Sequence, residues 1–116
     1  QGKYGIRANA VCPGPVDTSW THKETGPMDA DAEETVTYST AFGRRATTEE
    51  VANVYAFLAS DEASYVTGAL WLVDGATTIV HGMPGKDADA AAQTQPTGVL
   101  NLRFQRSSDP SAVPAG

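Results

Sequence analysis

The pattern of apolar and polar positions predicts two short strands with one amphipathic helix between them. The first strand lies in residues 6–12, where the small and mostly uncharged side chains of 8–12 lead to Pro13. Because proline cannot donate to a strand ladder and disfavours helix for the residue before it, this strand is expected to stop near Cys12. The second strand covers residues 66–73, whose nearly continuous apolar side chains predict burial on both faces of a parallel sheet.

The helix is predicted over residues 47–60. Thr47 and Glu50 occupy the two positions of a capping box, in which each side chain bonds the other residue's backbone N–H. A single apolar stripe then follows at helical spacing, formed by Val51, Val54, Tyr55 and Leu58. We therefore expect an amphipathic helix with Thr47 as its N-cap.

Residues 19–34 are polar and acidic, and the pair Gly26–Pro27 interrupts them. Two short helical pieces around a turn are therefore expected there. Trp20 and Met28 are apolar exceptions in this stretch. Two interpretations of them stay open, because they either face a substrate cleft as part of a lid or anchor a surface loop.

Composition changes again in residues 82–116, which hold several prolines and few large apolar side chains. This composition predicts a tail without a core of its own. The apolar run at 99–104 is an exception, which either docks onto a partner subunit or forms a loosely packed end.

Charge and composition narrow the classes of partner. The 116 residues suffice for one small domain, and the formal net charge is -6 with no basic cluster beyond Arg44–Arg45. Nucleic acid is therefore not an expected partner, since binding phosphates needs a basic face. No apolar run approaches the roughly 20 residues of a membrane-spanning helix. The single Cys12 suits a reducing compartment, so a cytoplasmic protein is expected.

Neither a metal site nor a nucleophile is predicted. His22 and His81 have no cysteine or histidine at zinc-ligand spacing. No Gly-x-Ser-x-Gly sequence is present. The candidate for function is instead the loop 13–18, because ligands of open α/β sheets bind where loops leave the carboxyl ends of strands.

Three blocks of sequence, in this order and spacing, resemble the C-terminal part of the classical short-chain dehydrogenase/reductase family. They are YGIRANAVCPGPVDT at 4–18, FGR at 42–44 with EEVA at 49–52, and FLASDEASYVTG at 57–68 leading to VDG at 73–75. The resemblance implies an α/β fold, the C-terminal portion of a Rossmann-type doubly wound parallel sheet. It also implies that the sheet binds NAD or NADP and that hydride passes between an alcohol and a ketone.

The resemblance carries four residues onto the family's cofactor-contacting positions, namely Pro13, Gly14, Val16 and Thr18. A glycine lets the backbone approach the flat nicotinamide ring, main-chain groups at Val16 suit the carboxamide, and Thr18 adds a hydroxyl. The stretch 19–42 matches the family's variable substrate lid. In that lid Trp20 and Met28 are candidates for contact with the small-molecule substrate.

Parts of the family pattern are missing from this sequence. No two glycines stand two residues apart, so the glycine-rich phosphate loop is absent, and no tyrosine has a lysine four residues later. No catalytic residue is therefore assigned. These features precede the matched region in the family, and the chain lacks an initiating methionine, so a C-terminal fragment that is inactive alone is expected. A usual second glycine after Asp-Gly is also replaced by Ala76.

The resulting organisation is one partial domain over residues 1–81 followed by the tail 82–116. The partial domain would bind NAD(P) as part of an oxidoreductase. The alternative is a non-catalytic oligomerisation module of the same fold. In the family, the helix 47–60 and the strand 66–73 commonly form subunit contacts, which implies a homo-oligomer.

Overall fold

The computed structural model describes residues 1–18 and 29–96. Two strands and two α-helices form in this part of the chain: β1 (Ala10–Pro13), α1 (Ala30–Tyr38), α2 (Thr48–Ala59) and β2 (Leu70–Val73). Short 3-10 turns lie at Gly2–Tyr4, Asp61–Ala63, Pro84–Asp87 and Ala90–Ala92. Among these elements no helix is long and apolar enough to cross a membrane.

The two strands pair in parallel, as the sequence predicts for an α/β fold. Ala10 lies opposite Leu70, and Pro13 lies opposite Val73. Parallel strands need a crossover connection, and here the connection contains α1 and α2.

Strand β1 ends one residue later than expected, at Pro13 rather than Cys12. The N–H groups of Ala10 and Gly14 donate to Ala69 and Val73, at 2.9 and 3.0 Å. Donation toward β2 therefore comes from every second residue of β1, and Pro13 falls between two donors. Its missing N–H faces away from β2, so the ladder loses nothing there.

Both strands begin later than the apolar pattern suggests, because side-chain bonds interrupt the backbone ladder at their starts, where the Gly68 N–H still donates to the Ala8 carbonyl at 2.7 Å. The Asn9 amide donates to the Val66 carbonyl at 2.9 Å and accepts from the Ala69 N–H at 3.0 Å. The Ala8 N–H donates to the Thr67 hydroxyl at 3.2 Å. These bonds hold residues 66–69 against the chain before β1 without regular pairing.

The expected burial of β2 on both faces is wrong for this chain. Burial alternates along the strand, with Trp71 and Val73 half-buried while Leu70 and Leu72 remain 77% and 50% exposed. The reason is that α2 covers one face, where the ring of Phe57 meets Trp71 edge-on at 5.6 Å between centroids.

The capping box at the start of α2 is confirmed. The Thr47 hydroxyl accepts from the Glu50 N–H at 3.1 Å, and the Glu50 carboxylate accepts from the Thr47 N–H at 2.9 Å. Of the apolar stripe, Leu58 is buried whereas Tyr55 remains 55% exposed. The helix is therefore as predicted, but its stripe is only partly covered.

Helix α1 begins after the Gly26–Pro27 pair and runs further than the predicted helical pieces, to Tyr38. Asp29 is its N-cap, and the Asp29 side chain accepts from the Ala32 N–H at 2.8 Å. The first of the two predicted pieces, together with Trp20 and Met28, lies outside the described residues. So does the apolar run at 99–104.

Candidate functional site

The loop after β1 lies beside the turn after β2, at the carboxyl ends of both strands. Gly14 approaches Asp74 closely, because a Cβ placed on Gly14 would lie 2.8 Å from the Asp74 Cα. Carbon atoms without a bond between them do not approach so closely, so a residue without a side chain is required at this crossing. Gly14 therefore sets how near the two chain segments come.

The next part of the loop is held by an isolated parallel bridge between Val16 and Ala46. The Ala46 N–H donates to the Pro15 carbonyl at 2.8 Å, and the Asp17 N–H donates to the Ala46 carbonyl at 2.9 Å. In extended backbone, neighbouring residues direct their polar groups to opposite sides. The N–H and carbonyl of Val16 are consequently turned away from Ala46.

Asp74 organises the turn after β2. Its carboxylate accepts from the Ala76 and Thr78 N–H groups at 3.0 and 3.1 Å, and from the Thr78 hydroxyl. The hydroxyl bond from Thr78 is the main cause that lowers the pKa of Asp74, with the backbone bonds adding to it. Ala76 adopts the left-handed conformation at φ 70°.

Arg44 joins the segment before α2 to the capping box. Its guanidinium makes a two-pronged ion pair with Glu50, at 2.7 and 2.9 Å. Burial raises the pKa of Glu50, but the bonds from Arg44 and Thr47 together outweigh it, so the net pKa lies below its ordinary value. The same guanidinium lies over the Phe42 ring, 5.5 Å from the centroid.

Arg45 runs in the opposite direction, toward α1. Its guanidinium donates to both carboxylate oxygens of Glu33, at 3.1 and 2.9 Å, and its side chain is only 7% exposed. The hydrogen bond to Glu33 raises the pKa of Arg45, against the opposing effect of burial, and the nearby charge of Asp17 raises it further. Arg45 thus pairs with Glu33 on α1 and also interacts with the charge of Asp17 in the loop after β1.

A small open cavity of about 110 Å³ lies among these segments. Its walls come from four places: the loop at Pro15, the turn at residues 73–75, the segment around Phe42, and Glu50 of α2. The volume is far below the several hundred Å³ of a typical cofactor pocket. The described residues therefore do not form an enclosed pocket of that size.

The structure brings the predicted cofactor residues together as one stretch. Pro13 is exposed at the end of β1, and Gly14, Val16 and Thr18 are half-buried along the loop. The predicted lid residues Trp20 and Met28 lie outside the described residues.

Two supporting interactions were not found by sequence reasoning. Arg44 is the partner of Glu50, and the signal for it was a basic residue six positions before a capping-box glutamate. Arg7 donates to the carbonyls of Leu58, Ser60 and Val66, at 2.7, 3.2 and 3.1 Å. A cation at the carboxyl end of a helix satisfies carbonyls that have no partner in the helix itself.

Comparison with known proteins shows which family this chain matches. Residues 1–78 match the family described as Enoyl-(Acyl carrier protein) reductase. A short-chain dehydrogenase of Aspergillus ruber is 46% identical over 83 residues, covering 66% of this chain and 28% of that protein. The meso-2,3-butanediol dehydrogenase of Serratia marcescens is 43% identical over 83 residues, covering 72% of this chain and 32% of that protein.

A solved structure agrees with the sequence matches. The crystal structure of a short-chain dehydrogenase from Bacillus anthracis superposes with a TM-score of 0.54 at 36% identity, covering 70% of this chain and 29% of that one. The chain spans about a third or less of the length of these relatives. Its parallel sheet is thus a portion of a Rossmann-type fold, and the chain belongs to the short-chain dehydrogenase/reductase family of oxidoreductases.

Proposed function

We propose that this chain is the C-terminal part of an NAD(P)-dependent oxidoreductase that interconverts an alcohol and a ketone in the cytoplasm. Pro13, Gly14, Val16 and Thr18 line the nicotinamide end of the cofactor site, and the lid 19–42 covers a small-molecule substrate. The family membership and the loop at the carboxyl end of β1 support this proposal. Among the relatives, the name of meso-2,3-butanediol dehydrogenase states an alcohol, which supports the substrate class.

The observation that carries the proposal is the orientation of the loop. The Val16–Ala46 bridge uses the Pro15 carbonyl and the Asp17 N–H, so the polar groups of Val16 face the other side. A carboxamide needs one acceptor and one donor, and the backbone of a single extended residue offers both. The residues present therefore fit the amide end of a nicotinamide.

The close crossing at Gly14 contributes rigidity. Because the Gly14 N–H donates to the Val73 carbonyl and the Val16–Ala46 bridge holds the next part of the loop, its backbone is held before a ligand arrives. A preorganised site loses less conformational freedom on binding. When bound, NAD(P) would supply or accept the hydride, whereas this stretch would bind and orient the ring.

The test is Thr18→Ala in the full-length protein that carries this segment. We expect binding of NADH or NADPH to weaken by about 2- to 10-fold, since one hydroxyl bond contributes roughly 0.5–1.5 kcal/mol. Thr18→Ser keeps the hydroxyl and should bind normally. Unchanged affinity for both cofactors in Thr18→Ala, measured by fluorescence titration, would remove Thr18 from the site.

A second function remains, a non-catalytic oligomerisation module, and one observation favours it. Leu70 and Leu72 are exposed on one face of β2. An exposed apolar patch of this kind usually marks a surface that contacts another protein. The coding sequence upstream distinguishes the two functions. A glycine-rich loop and a tyrosine with a lysine four residues later would support the oxidoreductase, and their absence would support the module.

A further inference from the structure

The segment Pro84–Gln93 lies beyond the family match, which ends at residue 78, yet it packs against the rest of the chain. Gly85 is buried in it. A Cβ on Gly85 would clash with the Thr40 carbonyl and the Gly43 backbone, and a Cβ on Gly43 would clash with the Gly85 carbonyl. The two backbones therefore cross at a distance that only glycine permits.

A second contact ties the far end of this segment to the same place. The Gln93 side-chain oxygen accepts from Arg44 Nε at 2.8 Å, and its side-chain nitrogen donates to the Phe42 carbonyl at 2.9 Å. The acceptor and the donor of the Gln93 amide are thus both bonded to residues 42–44. Gly85 and Gln93, eight residues apart along the chain, therefore both contact the same turn.

The turn that receives these contacts, residues 40–46, connects the other elements. Thr40 is 2% exposed, and its hydroxyl accepts from the Gly43 N–H at 3.1 Å. The Ala41 N–H donates to the Gly75 carbonyl at 2.8 Å, and the Ala46 N–H donates to the Pro15 carbonyl at 2.8 Å. We call residues 40–46 the junction, because its bonds reach β2's turn and the loop after β1.

The junction also carries the two ion pairs. Arg44 reaches Glu50 on α2, and Arg45 reaches Glu33 on α1. A displacement of the junction would therefore change the positions of both helices relative to the loop. Contacts that hold the junction act on all of these elements together.

We propose that residues 84–93, which we call the strap, hold the junction in its position against α1, α2 and the loop after β1. Gly85 and Gly43 let the strap seat on the turn, and Gln93 is its positioning residue, acting through Arg44 and the Phe42 carbonyl. The arrangement of α1, α2 and the loop thus depends on a segment outside the part of the chain that matches the family. The proposal does not depend on the cofactor or reaction proposed above.

Hydrogen exchange on the full 116-residue chain tests the strap, with Gln93→Ala compared against Gln95→Ala. Gln95 is an exposed residue of the same type two positions on. Gln93→Ala should accelerate exchange at the Ala41 and Ala46 amides by about 5- to 30-fold, the effect of losing two hydrogen bonds that closed the junction. Amides in the middle of α2 should change less than twofold.

Gln93→Glu separates the two bonds, because a carboxylate still accepts from Arg44 but cannot donate to the Phe42 carbonyl. It should restore part of the protection that Gln93→Ala loses. Equal acceleration in Gln95→Ala, an equal rise throughout α2, or unprotected Ala41 and Ala46 amides in the unaltered chain would each overturn the strap. An unchanged exchange rate in Gln93→Ala would overturn it as well.

Discussion

The junction at residues 40–46 and the outer face of β2 differ in how far the rest of the chain supplies their contacts. In the junction, Thr40 is buried and both arginines that follow Gly43 have carboxylate partners. On the strand, Leu70 and Leu72 remain exposed although they are among the most apolar residues available. The junction finds its partners within about fifty residues of sequence, whereas the strand face remains half to three-quarters exposed among the described residues.

The difference teaches which interactions a part of a fold can complete by itself. Hydrogen bonds and ion pairs need one partner each, and that partner here is a neighbouring turn or helix. Covering a strand face needs a whole layer of helices or another strand. Among the described residues every buried side-chain polar atom therefore has a hydrogen-bond partner, whereas the apolar face of β2 stays exposed.

The largest expected effect is on self-association. Replacing Leu70 and Leu72 together by Glu should weaken association of the isolated chain by at least about 100-fold, because burying each leucine contributes roughly 1.5–3 kcal/mol. Ile79→Glu alters an equally exposed residue outside the strand and serves as the control. Sedimentation velocity measures the outcome, and a compact monomer of the unaltered chain would contradict the prediction.

Gly14→Ala should give the next largest effect, a loss of about 1–3 kcal/mol in the free energy of unfolding. The added methyl group would lie 2.8 Å from the Asp74 Cα and would force the loop and the turn apart. Gly2→Ala is the control, because a Cβ there meets no atom within 4 Å. Urea unfolding compares the two variants, and equal midpoints would show that the crossing tolerates a side chain.

Lowering the pH should reduce the free energy of unfolding, because protonation of Glu50 weakens its bonds in the capping box. The pKa of Glu50 in the folded chain lies below its ordinary value of 4.5, so the unfolded chain takes up the proton first. Its contribution is therefore present above pH 4.5 and is lost as pH falls through the lower folded value. Glu50→Gln should remove this part of the pH dependence and cost about 1 kcal/mol at neutral pH.

Unfolding measured between pH 7 and pH 3 tests this prediction. Glu49→Gln is the control, since the Glu49 carboxylate accepts from the neighbouring Thr48 hydroxyl rather than from Arg44. A pH dependence that is identical in Glu50→Gln and in the unaltered chain would count against the role of the Arg44 pair.

The smallest effect is expected at Ala76, whose φ of 70° strains any residue with a Cβ. Relief of that strain is worth roughly 1–2 kcal/mol, and the greater freedom of glycine in the unfolded chain opposes it by about 0.5–1 kcal/mol. Ala76→Gly should thus stabilise by about 0.5–1 kcal/mol. Ala56→Gly, in α2, should instead destabilise by about 1 kcal/mol, and destabilisation by both would contradict the assignment of strain.

Local patterns predicted the elements whose determinants lie close together in sequence. Thr47 and Glu50 are three residues apart, and their capping box is present as predicted. The parallel sheet was likewise predicted. The strand limits were less accurate, because Asn9 and Thr67 replace ladder bonds with side-chain bonds that no hydrophobic pattern encodes.

The site was predicted as a stretch of sequence but not as an arrangement. Family resemblance indicated Pro13, Gly14, Val16 and Thr18, and their roles toward a cofactor stay predictions. The bond between Gln93 and Arg44 joins residues 49 positions apart, and only the folded chain brings them together. Glycine at position 85 carried no signal of a crossing, since glycine is also an ordinary residue of a polar tail.

The pairing of Ala10 with Leu70 sets an order of events for folding. Sixty residues separate the two partners, so the sheet cannot form until a long loop has closed. A helix such as α2 relaxes in about a microsecond, while chains dominated by distant contacts fold over milliseconds to seconds. During synthesis β1 therefore emerges first and waits without its partner until β2 has left the ribosome.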